Sequence, residues 1–136
     1  MTLSLPKPYQ RKPGHRDTPL EFRWKEGAQT FKSDDGAMIW SDSPWGEGWV
    51  LHGVAGERYL TVYIFSNDEQ RPIIGETFET GDDKSVFSYF DPNLGDHEGN
   101  YSITLTLIPK TLSCTATFSH IIPTIVEMTD GTINVI

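Results

Sequence analysis

The sequence predicts an all-β fold, an antiparallel β-sandwich or alternatively a partly closed β-barrel, of about nine strands preceded by an extended basic arm. Three observations carry this expectation. Tyr101, Ile103, Leu105 and Leu107 alternate with Ser102, Thr104 and Thr106, and Leu112, Cys114, Ala116 and Phe118 alternate with Ser113, Thr115, Thr117 and Ser119. A half-buried strand requires that period of two, because successive side chains point to opposite faces. Turn signals recur at intervals of about 8 to 12 residues. No stretch shows a convincing amphipathic helix.

Residues 1–19 hold four prolines together with Lys7, Arg11, Lys12, His15 and Arg16, so an extended or polyproline-like arm is expected there, followed by one domain over 20–136. Thr18-Pro19-Leu20-Glu21 has the form of a helix capping box and Gly27 would end such a helix. Leu20, Phe22 and Trp24 nevertheless alternate with Glu21, Arg23 and Lys25, so a strand is preferred and a short helix is the alternative. Residues 30–32 and 37–41 around Asp34-Asp35-Gly36 read as a hairpin. Strand signals follow at 48–54, 58–66, 73–79 and 85–90. Leu60, Val62 and Ile64 on one parity of the second of these oppose Tyr59, Tyr63 and Phe65 on the other, which predicts a central strand covered on both sides.

Residues 91–99 form the longest polar loop. Pro109-Lys110 turns the alternating hairpin, and Asp130-Gly131, a favoured type I′ pair, is expected to turn a last one. Residues 132–136 would then form an edge strand open to pairing with a second copy.

A chain of 136 residues buries a core without metal or disulfide staples. The one cysteine, Cys114, lies on the apolar parity of its strand and reads as a small buried hydrophobe. The N-terminus lacks the pattern of a cleavable secretory signal and no window approaches a membrane span, so a cytoplasmic location, or export without a cleavable signal, is expected. The formal charge is −8, which argues against nucleic-acid binding. Its distribution is uneven: residues up to Lys25 balance at +4 and the remainder at −12.

Gly75-Glu76-Thr77-Phe78, Gly99-Asn100-Tyr101-Ser102-Ile103-Thr104-Leu105, Ala116-Thr117-Phe118-Ser119 and Thr129-Asp130-Gly131-Thr132-Ile133-Asn134-Val135 occur in that order. Over roughly the last 65 residues the chain resembles small bacterial β-sandwich domains of unknown function found among lipoproteins. The resemblance implies the sandwich and brings no catalytic residues, and the chain lacks the lipobox cysteine of a membrane-anchored member.

Asp91, Asn93, Asp96, His97, Glu98 and Asn100 share one glycine-containing loop. Such oxygens suit calcium, but Ser102 stands where a bidentate glutamate belongs and strands flank the loop, so solvated turn caps are preferred. Trp45 lies between Asp42 and Glu47, where a ring and two acceptors could hold a sugar. Trp40 and Trp49 are instead expected to fill the core. Histidines occur singly and no Gly-x-Ser-x-Gly turn is present. Catalytic residues, metals and cofactors are therefore not expected.

The function that follows is a non-enzymatic protein-interaction domain acting through an acidic surface on a basic partner, in the manner of an inhibitor or immunity protein or of a secretion- or phage-type adaptor. Its expected contacts are the Trp45 loop, the 91–100 loop and the arm residues Lys7, Arg11, Lys12 and Arg16. The alternative is a carbohydrate module using Asp42, Trp45 and Glu47. A homodimer through an edge strand is possible in either case.

Overall fold

The alternating pattern becomes eleven antiparallel strands in one ladder, seen in a computed structural model that describes residues 18–43, 46–93, 95–97, 99–122 and 126–136. In chain order these are β1 (Thr18–Glu26), β2 (Gln29–Lys32), β3 (Asp35–Ser43), β4 (Gly46–Ala55), β5 (Arg58–Phe65), β6 (Ile73–Glu79), β7 (Ser85–Asp91), β8 (Gly95–His97), β9 (Asn100–Ile108), β10 (Ser113–Ile122) and β11 (Val126–Val135). The ladder runs β6-β9-β10-β11-β1-β3-β4-β5-β7-β8, and β2 branches from β1.

Strand β1 is the corner of this ladder. Its first residues, Thr18 and Pro19, pair with Met38 and Ala37, whereas Leu20 onward pairs with β11. One strand thus joins two walls, β3-β4-β5-β7-β8 and β6-β9-β10-β11 with β2 on the other side of β1, into a nearly closed, barrel-like sandwich. Changing partners within a single strand is a common way to fold a sheet back on itself.

The walls close on side chains of one parity. Leu20, Phe22, Trp24, Met38, Leu51, Leu60, Val62, Ile64, Phe87, Ile103, Leu105, Leu107, Met128 and Ile133 belong to a single buried cluster. Phe87 spans the gap, with ring centroids 5.4 Å from Phe118 and 5.6 Å from Tyr101. Full burial stabilises each such side chain by roughly 1.5–3 kcal/mol. Cys114 belongs to this core, and burial pushes its thiol pKa up to about 12, as expected of an inert packing residue. A second cluster, Val50, Tyr63 and Val86 with Phe65 packed beside it, lies on the other face of the first wall. β5 is therefore covered on both sides, as its two apolar parities predicted.

Residues 18–26 are strand rather than helix. That agrees with the preferred reading, whereas five expectations are corrected. Residues 30–32 and 37–41 do not pair with each other: β2 pairs with β1, and β3 with β1 and β4. Ser33 causes the split. Its N–H donates to Phe22 O, its hydroxyl accepts from Phe22 N, and the next N–H, of Asp34, donates to Val54 O. The chain therefore crosses from one wall to the other there.

Asp130-Gly131 is not a hairpin turn but a bulge inside β11. Two residues of β11, Thr129 and Asp130, face the single Ser119 between the pairs Phe118↔Gly131 and His120↔Met128. Asp130 takes a positive φ of 51°, and a Cβ on Gly131 would stand 2.5 Å from the Phe118 ring. A left-handed residue followed by glycine serves a bulge as well as a turn. Residues 132–135 consequently lie in the sheet interior, between β10 and β1. The ladder ends instead at β6 and β8.

The connection between β9 and β10 is longer than Pro109-Lys110. A 3-10 turn over Pro109–Thr111 ends at Leu112, which adopts a positive φ of 50° and projects into solvent. Residues 91–99 also contain β8, three residues long and paired with β7, which no apolar pattern announces.

Candidate functional site

Antiparallel pairing sorts the loops of the first wall between two ends. Ser43↔Gly46, Gly48↔Phe65 and Ile64↔Ser85 mark one end. Asp35↔Val54, Ala55↔Arg58 and Asp91↔Gly95 mark the other. The Glu47 and Asp91 loops are thus separated by the length of β4, about 30 Å at ~3.3 Å per residue. A single compact footprint does not include both.

The Glu47 end holds an open depression of about 800 Å³, lined by Glu47, Phe65, Ser66, Asn67, Arg71 and Asp83. Its rim is braced by the backbone. Ser66 N donates to Glu47 O at 3.0 Å and Phe65 N to Lys84 O at 2.8 Å. Asp82 carboxylate oxygens accept from Glu79 N and from the Ser85 hydroxyl, fixing the turn that carries Asp83. The result combines an aromatic edge with two carboxylates, an amide and a guanidinium, groups able to bind hydroxyls or a short polar segment. Asn67, Arg71 and Asp83 were missed by sequence reasoning, because they come from two loops and form no spaced motif.

At the opposite end the polar groups support the fold. Trp24 Nε1 and Tyr89 OH both donate to Glu26 Oε2 at 2.8 Å. Burial, and then the Glu26 carboxylate, push the Tyr89 phenol pKa well above its ordinary value. Asp91 is 6% exposed. Its Oδ2 lies 3.3 Å from Arg58 Nε, an ion pair without the direction of a hydrogen bond, and its Oδ1 accepts from Asn93 N at 2.8 Å. The Arg58 guanidinium also sits 4.7 Å over the Phe31 ring, which stacks on Trp24 at 5.5 Å. Asp91 is accordingly a buried turn cap, and not the exposed contact that its polar loop suggested.

Exposed carboxylates at this end come instead from two neighbouring turns. Asp34, Asp35 and Glu57 are all exposed. Gly56 N donates to Asp34 Oδ2 at 3.1 Å and Asp34 N to Val54 O at 2.8 Å, so the turns are held together.

Of the other residues singled out in the sequence, Glu47 and Asn93 are exposed. The backbone of Asp42 pairs with Glu47 across the β3–β4 ladder, and Asp96 and His97 lie on β8; the side chains of these three lie outside the described residues. So do Trp45, Glu98, Lys7, Arg11, Lys12 and Arg16 altogether. Trp49 is buried in the core as expected, whereas Trp40, which it meets edge-on at 5.3 Å, is half-buried and packs against the core from its margin. Among the described residues no group of His, Cys, Asp and Glu is placed to hold a metal, and no helix is long and apolar enough to cross a membrane.

The Tyr89–Glu26 bond has a measurable consequence. Because the folded phenol titrates above the unfolded one, its contribution is fully present below the unfolded value of about 10 and is lost as pH rises past it. Thermal melting of the wild type is expected to drop more steeply between pH 9 and 11 than that of Tyr89→Phe, which starts lower by about 1.5–3 kcal/mol of lost charge-assisted bonding. Parallel melting curves would refute this assignment.

Fold and loop placement define the class of the protein as an antiparallel, barrel-like all-β domain with polar loops at both ends of one wall. Comparison with protein-family models, with curated proteins and with solved structures returns no match.

Proposed function

We propose that this chain is a non-enzymatic interaction domain whose acidic surface binds a basic protein partner. The observation that supports this reading best is the trio Asp34, Asp35 and Glu57, exposed on turns that are locked to each other by the Gly56–Asp34 hydrogen bond. Carboxylates fixed in advance on a rigid end steer a basic partner and lose little freedom on binding. An inhibitor or immunity protein that masks a basic enzyme, or an adaptor in a secretion or phage assembly, would use such an end.

The test is affinity capture from the native host with the full chain and with a Asp34→Lys, Asp35→Lys, Glu57→Lys variant. A stoichiometric basic partner is expected with the wild type, weakened by salt and lost with the variant. The reading fails if no stoichiometric partner is recovered and the chain does not self-associate, or if the variant captures the same partner equally well.

A second reading is favoured by the depression at the other end. Glu47, Asn67, Arg71 and Asp83 around Phe65, next to the connection that carries Trp45, would suit a carbohydrate. Titration with a glycan panel separates the readings: sugar binding lost in Trp45→Ala at unchanged melting temperature supports the second, and an unchanged tryptophan spectrum throughout removes it.

A further inference from the structure

The ladder ends at β6 and at β8, and of these only β6, with seven residues against three, is long enough to pair with a further strand. β9 lies on one side of it, and among the described residues no strand lies on the other. Ile74 on this edge is 72% exposed, and Thr77 and Glu79 are exposed with it. Open main-chain groups beside an apolar side chain make an edge a template for association.

Which groups are open follows from the register. Thr80 N donates to Tyr101 O at 3.2 Å. Opposed residues of an antiparallel pair alternate between bonded and non-bonded positions, so Glu76 and Phe78 turn their main-chain groups toward Leu105 and Ile103 of β9. Thr77 and Glu79 turn theirs outward. Both outward groups of Glu79 are occupied by one residue: its N–H donates to Asp82 Oδ2 at 2.8 Å, and its carbonyl accepts from Asp82 N at 3.2 Å. Lys84 N and the Ser85 hydroxyl donate to the other oxygen of the same carboxylate, at 3.1 and 2.9 Å, and hold it in place. At the start of β6, Ile74 and Gly75 lie against the single residue Thr106 in a bulge. Gly75 takes a positive φ of 56°, and its N–H donates to Thr106 Oγ1 at 2.9 Å. Pro72, just before the strand, has no N–H to offer.

We infer that Asp82 and Thr106 close the β6 edge against a second copy of this chain. With both caps in place, Thr77 alone among the capped and uncapped outward positions keeps a free N–H and C=O, and one residue does not make a ladder. Without the caps the open groups run from Gly75 to Glu79. Two such edges meet about a two-fold axis with Thr77 opposite its own copy and Gly75 opposite Glu79, and identical edges related in this way are self-complementary. The partner that this edge fits is therefore the same strand of another molecule. The inference concerns the end of the ladder and does not rest on the function proposed above.

The test is the mass of the full chain by light scattering over a concentration series, together with hydrogen exchange of the Thr77 amide. In the wild type that amide is expected to exchange as an exposed group. In Asp82→Ala, Thr106→Val the mass is expected to rise roughly twofold, to a closed dimer, and Thr77 exchange to slow several-fold. Thr77→Pro added to this variant removes the outward N–H and leaves the β9 ladder intact; it is expected to restore the wild-type mass, which separates strand pairing from clumping of unfolded chain. Thr106→Val alone spares the 80–84 turn and keeps the test open should the double variant fold poorly, with the same association expected at higher concentration. The inference is overturned if both variants keep the wild-type mass, if association survives Thr77→Pro, or if the wild-type Thr77 amide is already protected in a dimer that Thr77→Pro breaks. None of these results bears on capture of a basic partner by the acidic end.

Discussion

Replacement of Phe87 by alanine is expected to cost about 3–5 kcal/mol, the usual range for emptying a core aromatic site, and to lower the melting temperature by roughly 10 °C or more. The size of the effect follows from position. Phe87 is fully buried on β7 of one wall, yet its ring meets Phe118 and Tyr101 of the other wall and stacks on His120 at 5.0 Å. β1 connects the walls at one side only, so the rest of their contact depends on interdigitated rings. Phe22 supports Phe118 from within the same wall, 6.3 Å away, and its ring packs against Gly53 of the other wall. Chemical denaturation measures the loss. Ile74→Ala, at a position 72% exposed, should stay within about 0.5 kcal/mol of wild type. A cost below about 1 kcal/mol for Phe87→Ala would mean that the walls do not meet at this ring. In the double variant with Phe118→Ala the costs should sum to less than additive, because the two rings share one contact.

This core was legible in the sequence wherever local alternation and burial agree. Ile103, Leu105, Leu107, Cys114, Ala116 and Phe118 face inward as their spacing requires, and Leu20, Phe22 and Trp24 chose strand over helix for the same reason. What the sequence does not display is pairing over distance. Ile133 opposite Phe22, and Phe78 opposite Ile103, are contacts across long loops, and no local pattern specifies them. Turn chemistry is also ambiguous in itself. Asp130-Gly131 permits a left-handed residue in a hairpin or in a bulge, and the apolar residues Met128 and Ile133 on either side decide for the bulge by remaining in the core.

The candidate sites were legible to a smaller degree, for a related reason. A carboxylate's role depends on what faces it. Asp91 reads as one more acid in a polar loop, but it is buried and Arg58, half-buried and 33 positions earlier, pairs with it. Glu26 looks like an ordinary strand end, yet it accepts from Tyr89, which is 63 positions away. Conversely, Asp34 and Glu57 belong to separate turns in the sequence and become neighbours when β3 and β4 pair. Charge counting identified an acidic body correctly; strand pairing determines which of its acids form a surface.

Gly48→Ala is expected to be the most damaging single-methyl addition, at about 3 kcal/mol, the upper part of the range for overpacked interiors. A Cβ built there falls onto the Ile64 carbonyl oxygen and within 3.0 Å of Ile64 C and Phe65 Cα. These are backbone atoms, which cannot rotate aside as a ring can, so β4 and β5 must separate at the Gly48↔Phe65 pair. The neighbouring interactions then fail together: Tyr63 OH donates to Gly46 O, and Ser66 N to Glu47 O. Loss of those bonds would release both Glu47 and Phe65 from the rim of the depression. Hydrogen exchange should therefore accelerate at Ser66 and along the facing ends of β4 and β5, while β9 and β10 keep their protection. Gly56→Ala provides the comparison, since its added Cβ meets nothing within 4 Å and only its φ of 62° opposes alanine, a cost of about 1 kcal/mol. Equal losses at the two positions would show that conformational freedom, rather than the close approach of β5, is what demands glycine at Gly48.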